Sequence, residues 1–196
     1  VEGGYGIELD VQLSRDGKLV VFHDDDLARM CSAEGRVDSY SYEELREMPL
    51  LGSGERIPLF TEVLELVAGR VPLIVELKMS PVNNYPVCEA ANRILSGYRG
   101  AYCVESFSPL AVRWYRKHRP DVVRGQLSDR MRAEEGGLAA RLACFGVRNL
   151  LTNGAARPDF IAYCHSDAHQ IGFRLCRELF HPLTVAWTIR SQAEYD

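Results

Sequence analysis

The sequence predicts an α/β fold built on a parallel sheet. From residue 72 onward, short apolar strand patterns alternate with helical ones, the signature of βαβ units. Carboxylates recur toward the ends of two strand patterns, where parallel α/β folds keep their sites. No GxGxxG or GxxxxGK[ST] follows a strand, so nucleotide-binding sheets are disfavoured. The pattern alone leaves open a doubly wound sheet or part of an eight-stranded barrel. With no internal repeat, low-complexity tract or linker in view, residues 1–196 read as one domain.

In chain order, "IELDVQL" (7–13) alternates without a break. Ile7, Leu9, Val11 and Leu13 share one strand face, and Glu8, Asp10 and Gln12 share the other. Asp16-Gly17 then signals a hairpin turn, and "VVFHD" (20–24) returns as a second strand. Residues 25–40 are polar and read as loop. Ser41 with Glu44 forms a capping-box start for a short helix over 41–48. Pro58 leads into an amphipathic helix over 59–69, closed by Gly69. A strand follows at 72–78. The helix over 85–98 carries an apolar stripe of Val87, Ala90, Ala91, Ile94 and Leu95. Next come a strand at 101–107 and a helix at 109–118 that begins with proline. The remaining elements are a strand at 122–128, a helix at 134–146, a strand at 159–164, a helix at 167–180 and a strand at 183–189.

Composition narrows the function classes. Apolar residues make up 46% and charged residues 26% of the 196, ordinary values for a soluble globular domain. The net charge of -4 argues against nucleic acid, which usually needs a basic face. The one basic cluster, 113–120, lies at a helix end, where cations are favoured in any case. The six cysteines (Cys31, Cys88, Cys103, Cys144, Cys164 and Cys176) are widely spaced, lack CxxC pairing and mostly lie in apolar stretches. That predicts free thiols and a reducing, cytoplasmic setting. No run reaches membrane-spanning length. The chain begins at Val1, so the natural start is expected upstream, and a removed signal peptide stays open.

The candidate site is built from carboxylates. In "PLIVELK" (72–78), Ile74, Glu76 and Lys78 share a face, and Glu76 and Lys78 lie near the strand's C-terminal end. Glu8 and Asp10 are expected at the same end of their own strand. Three converging carboxylates repel unless a cation joins them, and an oxygen-only set favours Mg²⁺ or Ca²⁺ over zinc. Lys78 offers positive charge for an anionic substrate. His23, on the hairpin arm, offers a group that gains or loses a proton near neutral pH. Each feature has a plainer reading: an exposed strand face for Glu8 and Asp10, a surface ion pair for Glu76 and Lys78, a structural His-Asp pair for His23. Their agreement in place and chemistry favours a site. Trp187 is weighed between a pocket wall and core packing, and His165 and His169 are read as surface residues.

The stretch "GIELDVQLSRDGKLVVFHDDDLAR" (6–29) resembles the signature of the glycerophosphodiester phosphodiesterase family. "IPLFTEVLELV" (57–67), "LIVELK" (73–78), "VESFSPLAVRWYRKHRPD" (104–121) and "AWT" (186–188) extend the likeness along nearly the whole chain. The resemblance implies a (β/α)8 TIM barrel and a phosphodiesterase that releases an alcohol and sn-glycerol 3-phosphate from a small glycerophosphodiester. It also implies Glu8, Asp10 and Glu76 as metal ligands, His23 as acid or base, and Lys78 on the substrate phosphate.

The family's opening His-Arg-Gly strand and its last strand find no match here, and a typical barrel needs ~250 residues. The expected chain is therefore the interior of a barrel, about strands 2 to 7, truncated at both ends. Its "IELDVQL" and "LTVAWTI" strands are expected as bare edges that invite association, and the isolated piece is expected to be inactive. The rival readings are a non-catalytic domain of the same fold that binds a phosphorylated ligand or serves as scaffold, and a lysophospholipase D or cyclising phospholipase. Oligomeric state is not read from the sequence.

Overall fold

The computed structural model describes residues 1–79, 85–130 and 137–195. The chain forms two compact units, Val1–Val104 and Glu105–Asp196. The first unit contains β1 (Ile7–Leu13), β2 (Leu19–Val21), α1 (Ala28–Cys31), α2 (Tyr42–Glu47), α3 (Phe60–Val67), β3 (Leu73–Leu77) and α4 (Pro86–Leu95). The chain leaves it along β4 (Tyr102–Ser106).

β1 serves two partners. Ile7 to Val11 run parallel to Leu73 to Leu77 of β3, with Asp10 opposite Glu76. Val11 to Leu13 then pair antiparallel with Val21 to Leu19 of β2. The edge expected at "IELDVQL" is thus covered in part: β2 pairs only with Val11 to Leu13, and Ile7 to Asp10 have β3 as their one strand partner among the described residues. Asp10 is the penultimate residue of the parallel stretch but lies mid-strand, and Glu8 sits near the strand's start, because the last residues of β1 belong to the hairpin. Gly17 makes that turn possible, since its φ of 76° suits glycine.

The hairpin arm is shorter than expected. β2 ends at Val21, so His23 and Asp24 lie just beyond it, although Phe22 N still donates to Asp10 O at 3.0 Å. Residues 25–40 are more ordered than a polar loop. They carry α1 and a 3-10 turn at Val37–Ser39. Leu27, Cys31 and Val37 pack with Val20, Phe22, Tyr42, Leu45 and Ile57 into a local core that supports the arm. Isolated apolar residues in a polar run give no periodic signal, and only tertiary packing reveals them.

The expected capping box at the start of α2 is present. Ser41 Oγ accepts from Glu44 N, and Glu44 Oε2 accepts from Ser41 N at 2.7 Å. Ser41→Ala is expected to lower stability by about 1 kcal/mol in chemical denaturation, with the fold unchanged. A loss above about 2 kcal/mol would mean that the serine does more than cap.

The second unit holds α5 (Pro109–His118), β5 (Arg124–Ser128), α6 (Leu138–Arg148), α7 (Asn153–Ala156), β6 (Phe160–Cys164), α8 (Ile171–Phe180), β7 (Leu183–Trp187) and α9 (Gln192–Tyr195). β6 runs parallel to β5 and to β7. Gly125 allows close strand packing, because a Cβ there would lie 2.2 Å from the Phe160 ring. A core of Leu150, Ile161, Tyr163 and Phe173 backs β6, with the two rings stacked at 4.1 Å. Part of the expected helix at 134–146 lies outside the described residues, and α6 continues to Arg148. α8 starts only at Ile171, because a 3-10 turn at His165–Asp167 precedes it. β7 pairs with β6 on one side and with no strand on the other among the described residues, as expected of an edge.

All six cysteines are free; Cys31 and Cys88 are buried and the others half-buried. Burial pushes the Cys88 thiol up to about 12, so it packs as an inert apolar group. Among the described residues no helix is long and apolar enough to cross a membrane.

Candidate active site

The polar face of β1 turns inward. Asp10 is 8% exposed and Glu76 7%, and Gln12 is buried beside them. Glu8 remains exposed. Parallel register puts Asp10 and Glu76 on the same face of neighbouring strands, and the two-residue strand repeat brings Glu8 to that face as well. One ligand oxygen from each carboxylate lies within 4.8 Å of the others. The sequence alternation alone suits a surface strand equally well. Burial of Asp10 and Glu76 excludes that reading for them, because burying carboxylates costs several kcal/mol unless a cation or hydrogen bonds offset it.

Lys78 stands between the two buried acids, with Nζ 2.9 Å from both Asp10 Oδ1 and Glu76 Oε1. Although Glu8 still reaches solvent, partial desolvation by the surrounding protein, and then the neighbouring Asp10, raise its carboxyl, opposed by Lys78 and His23. Burial also raises Glu76, from 4.5 to about 7, although Lys78 opposes the shift. For Lys78 the balance is reversed: burial disfavours its charge, but Glu76 and Asp10 outweigh burial and raise it. The face therefore holds excess negative charge that a single ammonium does not satisfy. Asp10 Oδ1 makes the same point, since it is buried and shares the one Lys78 ammonium with Glu76. A donor set of oxygens only, partly unsatisfied and closely spaced, fits a hard divalent cation.

A divalent ion held at this face would compete with a proton for Glu76. Cation affinity is therefore expected to fall as pH drops through about 7, the value to which burial raises this carboxyl. Without a cation the fold is expected to lose stability as pH rises through the same range. Glu76 binds its proton more tightly folded than unfolded, and that advantage, complete below 4.5, disappears once Glu76 ionises. Calorimetric titrations and unfolding curves at pH 5.5, 7 and 8.5 check both signs, about 1.5 units to either side of 7. Affinity independent of pH would place the cation elsewhere.

His23 lies at the tip of the arm with 70% of its side chain exposed, and its Nδ1 is 2.7 Å from Asp24 Oδ1. Gln12 fixes the backbone on either side, its Nε2 donating to Phe22 O and Asp24 O at 2.8 Å each. Sequence reasoning passed over Gln12 because an amide does not titrate. Its signal was its place two residues beyond Asp10 on the polar face. Within the second unit, Trp187 meets Phe107 edge-on at 5.7 Å. His165 is half-buried near the Trp187 carbonyl, and His169 is exposed.

The chain matches the glycerophosphoryl diester phosphodiesterase family model over residues 1–171. It is 40% identical over 94 residues to a glycerophosphodiester phosphodiesterase of Bacillus altitudinis, covering 44% of this chain and 38% of that one. It is 31% identical over 160 residues to the enzyme of the same name from Caldanaerobacter subterraneus, covering 77% of this chain and 66% of that one. The chain thus spans less than two thirds of those relatives' length. Among solved structures, an Oleispira antarctica phosphodiesterase in complex with the product sn-glycerol-3-phosphate superposes on 98% of this chain and 76% of its own, with a TM-score of 0.77 at 20% identity. A glycerophosphodiester phosphodiesterase from Thermotoga maritima covers 96% and 74%, with a TM-score of 0.65 at 24% identity. At such identities these two likenesses speak for the fold, which is the incomplete TIM barrel that the resemblance implies, its seven-stranded sheet not closed among the described residues. A family match over most of the chain adds what fold similarity alone does not: this chain belongs to the glycerophosphoryl diester phosphodiesterase family.

Proposed function

We propose that the protein hydrolyses glycerophosphodiesters to an alcohol and sn-glycerol 3-phosphate, with Mg²⁺ or Ca²⁺ held by Glu8, Asp10 and Glu76. The observation that carries this reading is the meeting of those three carboxylates with Lys78 on one face of two adjacent strands. Family membership supplies the reaction class. When bound, the cation supplies positive charge against the phosphoryl oxygens as the transition state forms.

The protein's own groups do the rest. Asp10 and Glu76 hold Lys78 at the centre of the face, and its long stem lets the ammonium turn toward a phosphate oxygen. His23, on the exposed arm, moves a proton. As neutral imidazole it takes one from the attacking water; as imidazolium it gives one to the departing alkoxide. A P–O bond to water forms, the P–O bond to the alcohol breaks, and the alcohol leaves with the proton. A reducing, cytoplasmic setting fits the six free cysteines.

The test incubates the full-length protein with glycerophosphocholine and follows glycerol 3-phosphate enzymatically and phosphorus species by NMR. Glycerol 3-phosphate is expected in step with choline, to stop with a chelator and to resume with Mg²⁺ or Ca²⁺. Accumulation of a cyclic phosphate would favour a cyclising phospholipase instead. No turnover in the presence of either cation would favour a ligand-binding or scaffold domain.

A further inference from the structure

We propose that Arg29 is a positioning residue for His23: it clamps Asp24 so that the imidazole keeps its proton on Nδ1 and presents the lone pair of Nε2. The inference rests on the reading of His23 as the proton-moving group.

The geometry fixes the direction of each hydrogen bond. Arg29 Nε donates to Asp24 Oδ2 at 2.6 Å and Nη2 donates to Oδ1 at 2.8 Å, a bidentate fork. Guanidinium groups only donate, so both Asp24 oxygens act as acceptors. His23 Nδ1 approaches the same Oδ1 at 2.7 Å. An ionised carboxylate has no proton to give, so Nδ1 must be the donor. In a neutral imidazole that leaves Nε2 as the acceptor. The hydrogen bonds from Arg29, together with that from His23, hold the Asp24 carboxyl down at about 2, so it stays ionised throughout the working pH range.

The clamp is needed because the His23 side chain is 70% exposed, so packing does little to orient the ring. Gln12 fixes the backbone around His23, but a backbone anchor leaves the ring free to rotate and to change tautomer. Arg29 has firm footing, since it stands in α1, whose Cys31 and preceding Leu27 are buried in the local core. The plain alternative is a surface ion pair, a class that contributes little to stability and has no bearing on the imidazole.

Two readouts separate the cases, both on the full-length protein. The first is the two-bond proton–nitrogen correlation spectrum of nitrogen-15-labelled histidine, read on the alkaline plateau of a pH series, where the ring nitrogen shifts no longer change. Wild type is expected to show His23 protonated on Nδ1. Arg29→Met is expected to shift it toward the Nε2-protonated form that an unrestrained imidazole prefers. The second is steady-state kinetics. Arg29→Met is expected to lower kcat on the order of 10-fold or more with KM little changed, and Arg29→Lys to recover part of the loss. An Nδ1-protonated His23 and unchanged kcat in Arg29→Met would overturn the proposal. Undiminished turnover in His23→Ala would overturn the underlying assignment of His23, and the tautomer spectrum would still decide whether Arg29 sets the ring.

Discussion

Asp10→Asn is expected to lower turnover about 10³-fold, the effect of losing several kcal/mol of charge stabilisation in the transition state. Asp10 is the buried carboxylate directly opposite Glu76, and its Oδ1 shares the one Lys78 ammonium with Glu76. Asparagine keeps the shape but removes the charge, so the fold should survive. The remaining acids then hold a cation weakly, and Lys78 keeps Glu76 as its buried partner. Turnover measured at high Mg²⁺ or Ca²⁺, beside the thermal unfolding midpoint, checks this. A loss below tenfold with the fold intact would remove Asp10 from the machinery.

His23→Ala is expected to lower turnover by about 10²-fold or more while leaving cation affinity nearly intact. The proposed role of the residue is to move protons, not to bind the cation. Its exposed ring contributes little packing, so stability should change little. Kinetics and cation titration on the same preparation separate the two roles. Unchanged turnover would reduce the arm to a structural element, and lost cation affinity would make His23 a ligand.

Much of this arrangement was legible from strand periodicity. Alternation in "IELDVQL" and "LIVEL" put the three carboxylates on the correct faces, and parallel pairing brought the strands together. What the pattern did not show was the division of β1 between two partners. A strand that changes neighbours midway has the same alternation as one that does not. For that reason Glu8 and Asp10 were expected nearer the strand end than they lie. Lys78 was assigned to a phosphate, and its position between Asp10 and Glu76 depends on cross-strand register, which a single strand's sequence does not specify. Arg29 stood within the family-like stretch without a role. Its bond to Asp24 depends on how the chain turns after β2, which is set by a small core of well-separated apolar residues.

In the proposed mechanism hydrolysis depends on a single divalent-cation site formed by Glu8, Asp10 and Glu76. Isothermal titration of Mg²⁺ and Ca²⁺ into chelator-treated full-length protein tests it most directly, with Asp10→Asn, Glu76→Gln and His23→Ala titrated in parallel. One cation per chain is expected at this site, bound by wild type and by His23→Ala, with affinity lower by tenfold or more in each carboxylate variant. Equal binding by wild type and Asp10→Asn would contradict it.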